Sequence, residues 1–177
     1  MTLVRSLGDR APRFGKDVFL ADNAVVAGDV VLADSVNVWY GAVLRADVGT
    51  IRVGARTNLQ DLCCVHMTHD LSHAIIGADV TVGHAAIVHG AVVEDRALIG
   101  MGAILLDNAR VGHDAFVAAG ALVPANMVVP PRTLVWGSPA RRSRPLTDEE
   151  IEKVREGKDL YLELARLHAG AQANERR

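Results

Sequence analysis

Apolar residues return every six positions along this chain, a period that matches neither the 3.6 residues of a helix nor the alternation of a simple strand. They stand at Phe19, Val25 and Val31, and after a polar Asn37 the phase resumes at Val43. A second run occupies Val53, Leu59 and Val65, and a third Ile76 and Val82. The longest run is Ile87, Val93, Ile99, Leu105, Val111, Val117 and Val123. Glycine often follows the apolar position, as at Gly54, Gly77, Gly83, Gly100 and Gly112. This period fits a hexapeptide β-helix, in which each hexad is a short strand plus a corner and three hexads close a triangular coil. The apolar residue points inward, and small residues fit the tight corners. A helical reading fails because glycine is too frequent and no 3.6-residue stripe is present. Aromatics are only 4 % of the 177 residues, so the interior must be built from Val, Ile, Leu and Ala, which suits stacked strands.

Two breaks of phase carry information. From Val43 to Val53 the step is ten, so about four residues bulge out around Asp47 to Thr50. From Val65 to Ile76 it is eleven, so about five residues loop out around His69 to His73. Insertions in solenoids fall at corners and often build sites. Residues 1–17 read as an opening strand and loop. After Val123 the repeat fades, and Pro124, Pro130 and Pro131 lead to an exit over 134–140. Thr147 and Glu150 then form a capping box. Ile151, Val154, Lys158, Tyr161, Leu162 and Ala165 give a mainly apolar face, which predicts a helix over 148–168 packed on the solenoid. The polar stretch 170–177 reads as a frayed tail. The organisation is therefore a β-helix over 1–140, then a linker and helix over 141–177.

Charge and composition exclude several functions. A net charge of −2 gives no electrostatic case for nucleic acid or an anionic membrane, and Arg141, Arg142 and Arg144 read as a solvated linker. No apolar run approaches the roughly 20 residues needed to span a bilayer. The first residues lack a signal peptide's apolar core, so the expected location is cytoplasmic. The two cysteines, Cys63 and Cys64, are adjacent and build no disulfide framework; they read as core and corner packing.

Five of the seven histidines fall within residues 65–90. Counting a bulged step as one hexad, Val65 and Val88 lie one coil apart, so His66 and His89, which follow them, stack on one edge in adjacent coils. Both could reach one metal ion. His84 lies two places after Val82 and should point away from that pair, toward a neighbouring surface. A three-histidine site then needs His84 from another subunit, as in a three-fold trimer. On register alone, unrelated exposed histidines on solenoid corners stand as an equal alternative.

The ordered set Trp39-Tyr40-Gly41-Ala42-Val43-Leu44-Arg45-Ala46-Asp47, Asn58-Leu59-Gln60-Asp61, His66, Gly83-His84 and His89-Gly90 resembles the gamma-class carbonic anhydrase family, over about residues 13–161. The resemblance implies an all-β, left-handed parallel β-helix with a C-terminal α-helix. It implies a homotrimer holding Zn2+, Fe2+ or Co2+ at each interface, with His66 and His89 from one subunit and His84 from its neighbour. By the same resemblance Gln60, with Asn58 beside it, positions water or bicarbonate. Arg45, Asp47 and Asp61 match an interfacial ion-pair network, and Tyr161 a tyrosine near the site. The implied reaction is reversible hydration of carbon dioxide to bicarbonate by hydroxide generated at the metal. The best-studied type of the family has glutamates where this chain has Val48 and His69. Both serve proton export there, so the departure predicts weaker turnover and leaves His69 and His73 as candidate shuttles. Two other functions stay open. Gly137-Ser138-Pro139-Ala140 is similar to the solenoid end of hexapeptide acyltransferases, so transfer or thioester hydrolysis on coenzyme A substrates is one. A non-catalytic trimeric scaffold is the other.

Overall fold

The computed structural model describes residues 2–175. They form a left-handed parallel β-helix of about seven turns, closed at its end by a hairpin and flanked by one helix. Most strands are only two or three residues long, because each must turn a corner of the triangle before the next begins. The residue three places before most inward apolar residues adopts a left-handed backbone, as at Arg56, Asp79, Arg96, Asp114 and Arg132. The residue two places before the inward one is often a buried alanine, from Ala24 through Ala74 to Ala121. Gly100 serves a different need. A Cβ there would lie 2.5 Å from the Ala119 nitrogen and 2.7 Å from the Val117 oxygen, so the next coil excludes any side chain.

The inward column corrects the expected phase in three places. Before Val53 it runs through Leu20, Val26, Leu32, Val38 and Leu44, one residue later than Phe19, Val25, Val31, Asn37 and Val43. Val88 rather than Ile87 points inward, and the step from Val88 to Val93 is five. The repeat does not fade at Val123: Val129 and Val135 are buried, and their strands pair with the coil before.

The first insertion is also different from the expected loop. Val43–Val53 is one continuous eleven-residue strand that carries its three extra residues straight through a corner. It pairs with Val25–Leu32, where the register shifts between Gly28 and Val30. The second insertion is a loop, tied down by Thr68 and Ser72, which both donate hydrogen bonds to Asp107.

At the C-terminal end, Thr133–Gly137 pairs antiparallel with Ala140–Pro145. The basic stretch expected as a linker is therefore the outer strand of a hairpin. The capping box is present: the Thr147 amide donates to Glu150 at 3.0 Å and the Glu150 amide to Thr147 at 3.2 Å. The helix, α1, runs Asp148–Glu175 and extends beyond the expected 168. Ala169, Ala171, Gln172 and Ala173 are good helix formers, and Gln172 reaches back to the Leu20 carbonyl. Within its described residues the tail is helical; Arg176 and Arg177 lie outside them. Among the described residues no helix is long and apolar enough to cross a membrane.

Candidate metal centre

Strands Cys64–His66 and Ile87–His89 are parallel neighbours, with His66 opposite His89. Side chains alternate along a strand, so Val65 and Val88 point inward while the flanking residues point out. The outward column is apolar from end to end: Val25, Val43, Cys64, Ile87, Ile104 and Leu122 stack in register. Ile87 is 36 % exposed, and Leu62 and Met101 beside the column are 67 % and 59 % exposed. One face of the triangle is thus an open hydrophobic surface.

His66 and His89 stand on one edge of that face. Their facing ring nitrogens, Nδ1 of His66 and Nε2 of His89, are 3.3 Å apart. The remaining nitrogen of each meets a carboxylate: His66 Nε2 lies 3.0 Å from Asp47 and His89 Nδ1 3.2 Å from Asp107. Arg45 pairs with Asp47. Burial opposes ionisation of Asp47, but hydrogen bonds from His66 and Arg45 outweigh it and hold its carboxyl below the ordinary range. Asp107 is lowered in the same way, burial being overcome by Ser72, Thr68 and the nearby His89.

His84 stands on the opposite edge of the same face. It occupies the same position of its hexad as Asp61 one coil earlier, and its Nδ1 lies 2.9 Å from the Asp61 carboxylate. Its Nε2 is 3.3 Å from the hydroxyl of Tyr161 on α1. Burial, with the negative charge of Asp61, pushes the Tyr161 phenol above its ordinary pKa. Gln60 sits on this edge too. Its Nε2 donates to Asn58 at 3.1 Å, and Asn58 donates to Thr81 at 2.8 Å, a buried amide relay beneath the helix.

The structure therefore divides the expected site residues into two groups. Arg45, Asp47, His66 and His89 gather on one edge; Asn58, Gln60, Asp61, His84 and Tyr161 gather on the other. Among the described residues no three His, Cys, Asp or Glu side chains of one chain are placed to share a metal. His73 contacts Thr50 at 3.3 Å, and the exposed His69 pairs with Asp70 at 3.3 Å. Cys63 is buried with its thiol pushed up by burial and by the neighbouring Cys64, while Cys64 belongs to the apolar face. The residue that sequence reasoning misses is Asp107. It stands one coil after Gly90 on the His89 edge, and the five-residue step at Val88 hides that adjacency.

The donor set fits a divalent metal. Two imidazole nitrogens on a tetrahedral zinc at about 2.0–2.1 Å are about 3.3–3.4 Å apart, which the His66–His89 pair matches. Each of the three imidazoles has one nitrogen on an aspartate, the arrangement that fixes a tautomer and leaves the other nitrogen as a ligand.

The fold defines a hexapeptide-repeat protein, one that carries a divided, carboxylate-backed histidine set. The chain is 43 % identical over 150 residues to a protein named Probable carbonic anhydrase from Methanocaldococcus jannaschii, covering 85 % of this chain and 94 % of that one. It belongs to the gamma carbonic anhydrase family. It is also 45 % identical over 166 residues to Gamma carbonic anhydrase 2, mitochondrial, from Arabidopsis thaliana, covering 91 % of this chain. The chain spans 60 % of that relative's length. A solved hexapeptide transferase family protein from Anaplasma phagocytophilum superposes with a TM-score of 0.88 at 35 % identity, over 93 % of this chain and 96 % of that one. No family model matches the chain.

Proposed function

We propose that this chain is a metal-dependent carbonic anhydrase that interconverts carbon dioxide and bicarbonate at sites shared between subunits of a homotrimer. One observation carries the reading: two halves of a three-histidine set lie on opposite edges of one exposed apolar face. Packing that face around a three-fold axis would bury the column from Val25 to Leu122 and bring one edge of each subunit to the other edge of the next. His66 and His89 with His84 of the partner subunit would then hold Zn2+, or alternatively Fe2+ or Co2+. When bound, such a metal supplies a nucleophile at neutral pH by lowering the pKa of water to about 7.

The chain's own residues prepare the site. Asp47, Asp107 and Asp61 fix which nitrogen of each imidazole is free. Asn58, itself bonded to Thr81, orients Gln60, and the family resemblance supports Gln60 as the residue that would position a substrate oxygen. His69 is exposed and can exchange protons with solvent, a role the missing acidic residues leave to it or to His73. The Anaplasma relative's name, which says transferase, favours a second reading; for this chain we take it as acyl transfer on coenzyme A substrates, in which the three histidines need no metal.

Metal analysis separates these. The purified protein is expected to hold one metal per subunit, and His66→Ala, His84→Ala or His89→Ala to lose it. Mixing His84→Ala subunits with His66→Ala/His89→Ala subunits should return one site per mixed trimer, which only a shared site allows. Stopped-flow carbon dioxide hydration on metal-loaded, anaerobic protein tests turnover. Unchanged metal content in His84→Ala, or full metal with no hydration, overturns the proposal, and acetyl transfer from acetyl-coenzyme A would support the second reading.

A further inference from the structure

One corner of the solenoid carries an alternating ladder of charge. Arg56, Asp79, Arg96, Asp114 and Arg132 hold equivalent positions in successive coils, each three residues before the inward residue of the strands at Asn58, Thr81, Leu98, Phe116 and Leu134. Arg56 forks onto Asp79 and Arg96 onto Asp114. α1 lies along this corner antiparallel to the stacking, adds a third member to the two pairs and gives the unpaired end of the ladder, Arg132, a partner. Lys158 reaches Asp79 at 2.7 Å, Arg155 reaches Asp114 at 3.0 Å, and Asp148 reaches Arg132 at 2.5 Å. The Lys158–Asp79 pair is well covered, the two side chains being 18 % and 12 % exposed.

The spacings agree. From Asp148 to Lys158 the helix rises about 15 Å at 1.5 Å per residue. From Arg132 to Asp79 the solenoid advances three coils, about 14 Å at 4.8 Å per coil. A helix turn of about 5.4 Å is also close to one coil, so a helix held only by its apolar face could slip by one turn with little loss of packing. The alternation forbids this. A slip of one coil either way sets Lys158 against Arg56 or Arg96, and Arg155 against Arg96 or Arg132.

We propose that this ladder is a register lock for α1, and that the lock is what seats Tyr161 on His84. Tyr161 lies three residues beyond Lys158, and its hydroxyl meets His84 in one coil only; a one-turn slip carries it to the level of Asp61 or Met101. Asp79, Asp114, Arg155 and Lys158 are thus positioning residues, acting through Tyr161 on the nitrogen of His84 that is not held by Asp61. The inference rests on reading His84 as a metal ligand. It adds that the helix register sets what stands beside the ligating nitrogen of His84.

The test uses full-length protein carrying Trp136→Phe, so that Trp39 is the remaining indole. Trp39 packs edge-on to Tyr161 at 5.5 Å and to His168 at 5.2 Å, so its emission reports helix seating directly. Arg155→Ala/Lys158→Ala should shift that emission to the red and change cobalt(II) affinity by about tenfold, since Tyr161 contacts the very nitrogen of His84 that Asp61 leaves for the metal. Arg155→Lys/Lys158→Arg, which keeps the charges, should restore both. An unchanged Trp39 emission in the double alanine variant overturns the lock. A shifted emission with unchanged cobalt affinity overturns the link to His84. A His84→Ala control run beside them separates these outcomes from failure of the metal reading, since that variant alone tells whether His84 binds cobalt at all.

Discussion

Replacing Asp107 by Asn tests the site at the residue the repeat pattern hides. In the native protein one carboxylate oxygen lies 3.2 Å from His89 Nδ1 and accepts from the Ser72 hydroxyl, and the other accepts from Thr68 at 3.0 Å. Asparagine has nearly the same volume but a single acceptor oxygen, so either Thr68 or both His89 and Ser72 must face an NH2 group. Losing a hydrogen bond to a charged acceptor costs about 1.5–3 kcal/mol. If His89 loses, its tautomer is no longer fixed and metal affinity falls by about 10–100-fold. If Thr68 loses, the same amount appears as a lower melting temperature. Cobalt titration followed by visible absorption, with a thermal melt of the metal-free protein, reads both. Thr68→Val/Ser72→Ala should lower the melt and spare the affinity, because it leaves the His89 partner in place. Native cobalt affinity in Asp107→Asn, with a cooperative melt, would refute the assignment of Asp107 as the group that orients His89.

Gly100→Ala should destabilise the fold by about 1–3 kcal/mol in urea melts, since the new methyl meets backbone of the next coil that cannot turn aside. Ile87→Glu sets a charge at the centre of the apolar face and should give a folded monomer by sedimentation; a trimeric mass in that variant would place the interface elsewhere. Acid should release α1. Burial opposes ionisation of Asp79 and Asp114, but Arg56 with Lys158, and Arg96 with His113 and Arg155, hold both carboxyls below the ordinary range. Such depressed groups stabilise the folded state fully above the unfolded carboxylate pKa of about 3.9, and the contribution is lost as pH falls through the lower folded values. Trp39 emission should therefore shift below about pH 4, and Asp114→Asn should flatten that dependence.

The six-residue period made the solenoid legible, and from Val53 onward it made the inward column legible too, except at Ile87. The earlier phase fails for a physical reason. At Val25-Val26, Val31-Leu32 and Val43-Leu44 both residues of a strand are apolar, the inner one for the core and the outer one for a second surface, so hydrophobicity cannot tell them apart. The extra residues near Asp47 count correctly as an insertion, yet nothing in them shows that the chain stays extended as a strand rather than looping. His66 and His89 were readable because they share a position in adjacent hexads. Asp107 was not, because its partner lies 18 residues away across an irregular step. Helix length escaped for another cause: the polarity of 170–175 suggests fraying, while the contact from Gln172 to Leu20 that carries the helix onward is tertiary.

A solenoid's coils hold only their immediate neighbours, so such a stack ordinarily loosens from its ends in steps. Here α1 lies against the strands at Phe19, Asn37 and Asn58 near one end and begins against Arg132 in the last coils. The first and last coils are thereby tied to the same rigid rod. Opening either end alone must also free part of the rod, which raises the free energy of partial unfolding toward that of the whole. Amide exchange should then show one broad class of slow protons from end to end rather than a gradient, and truncating the helix should restore the gradient.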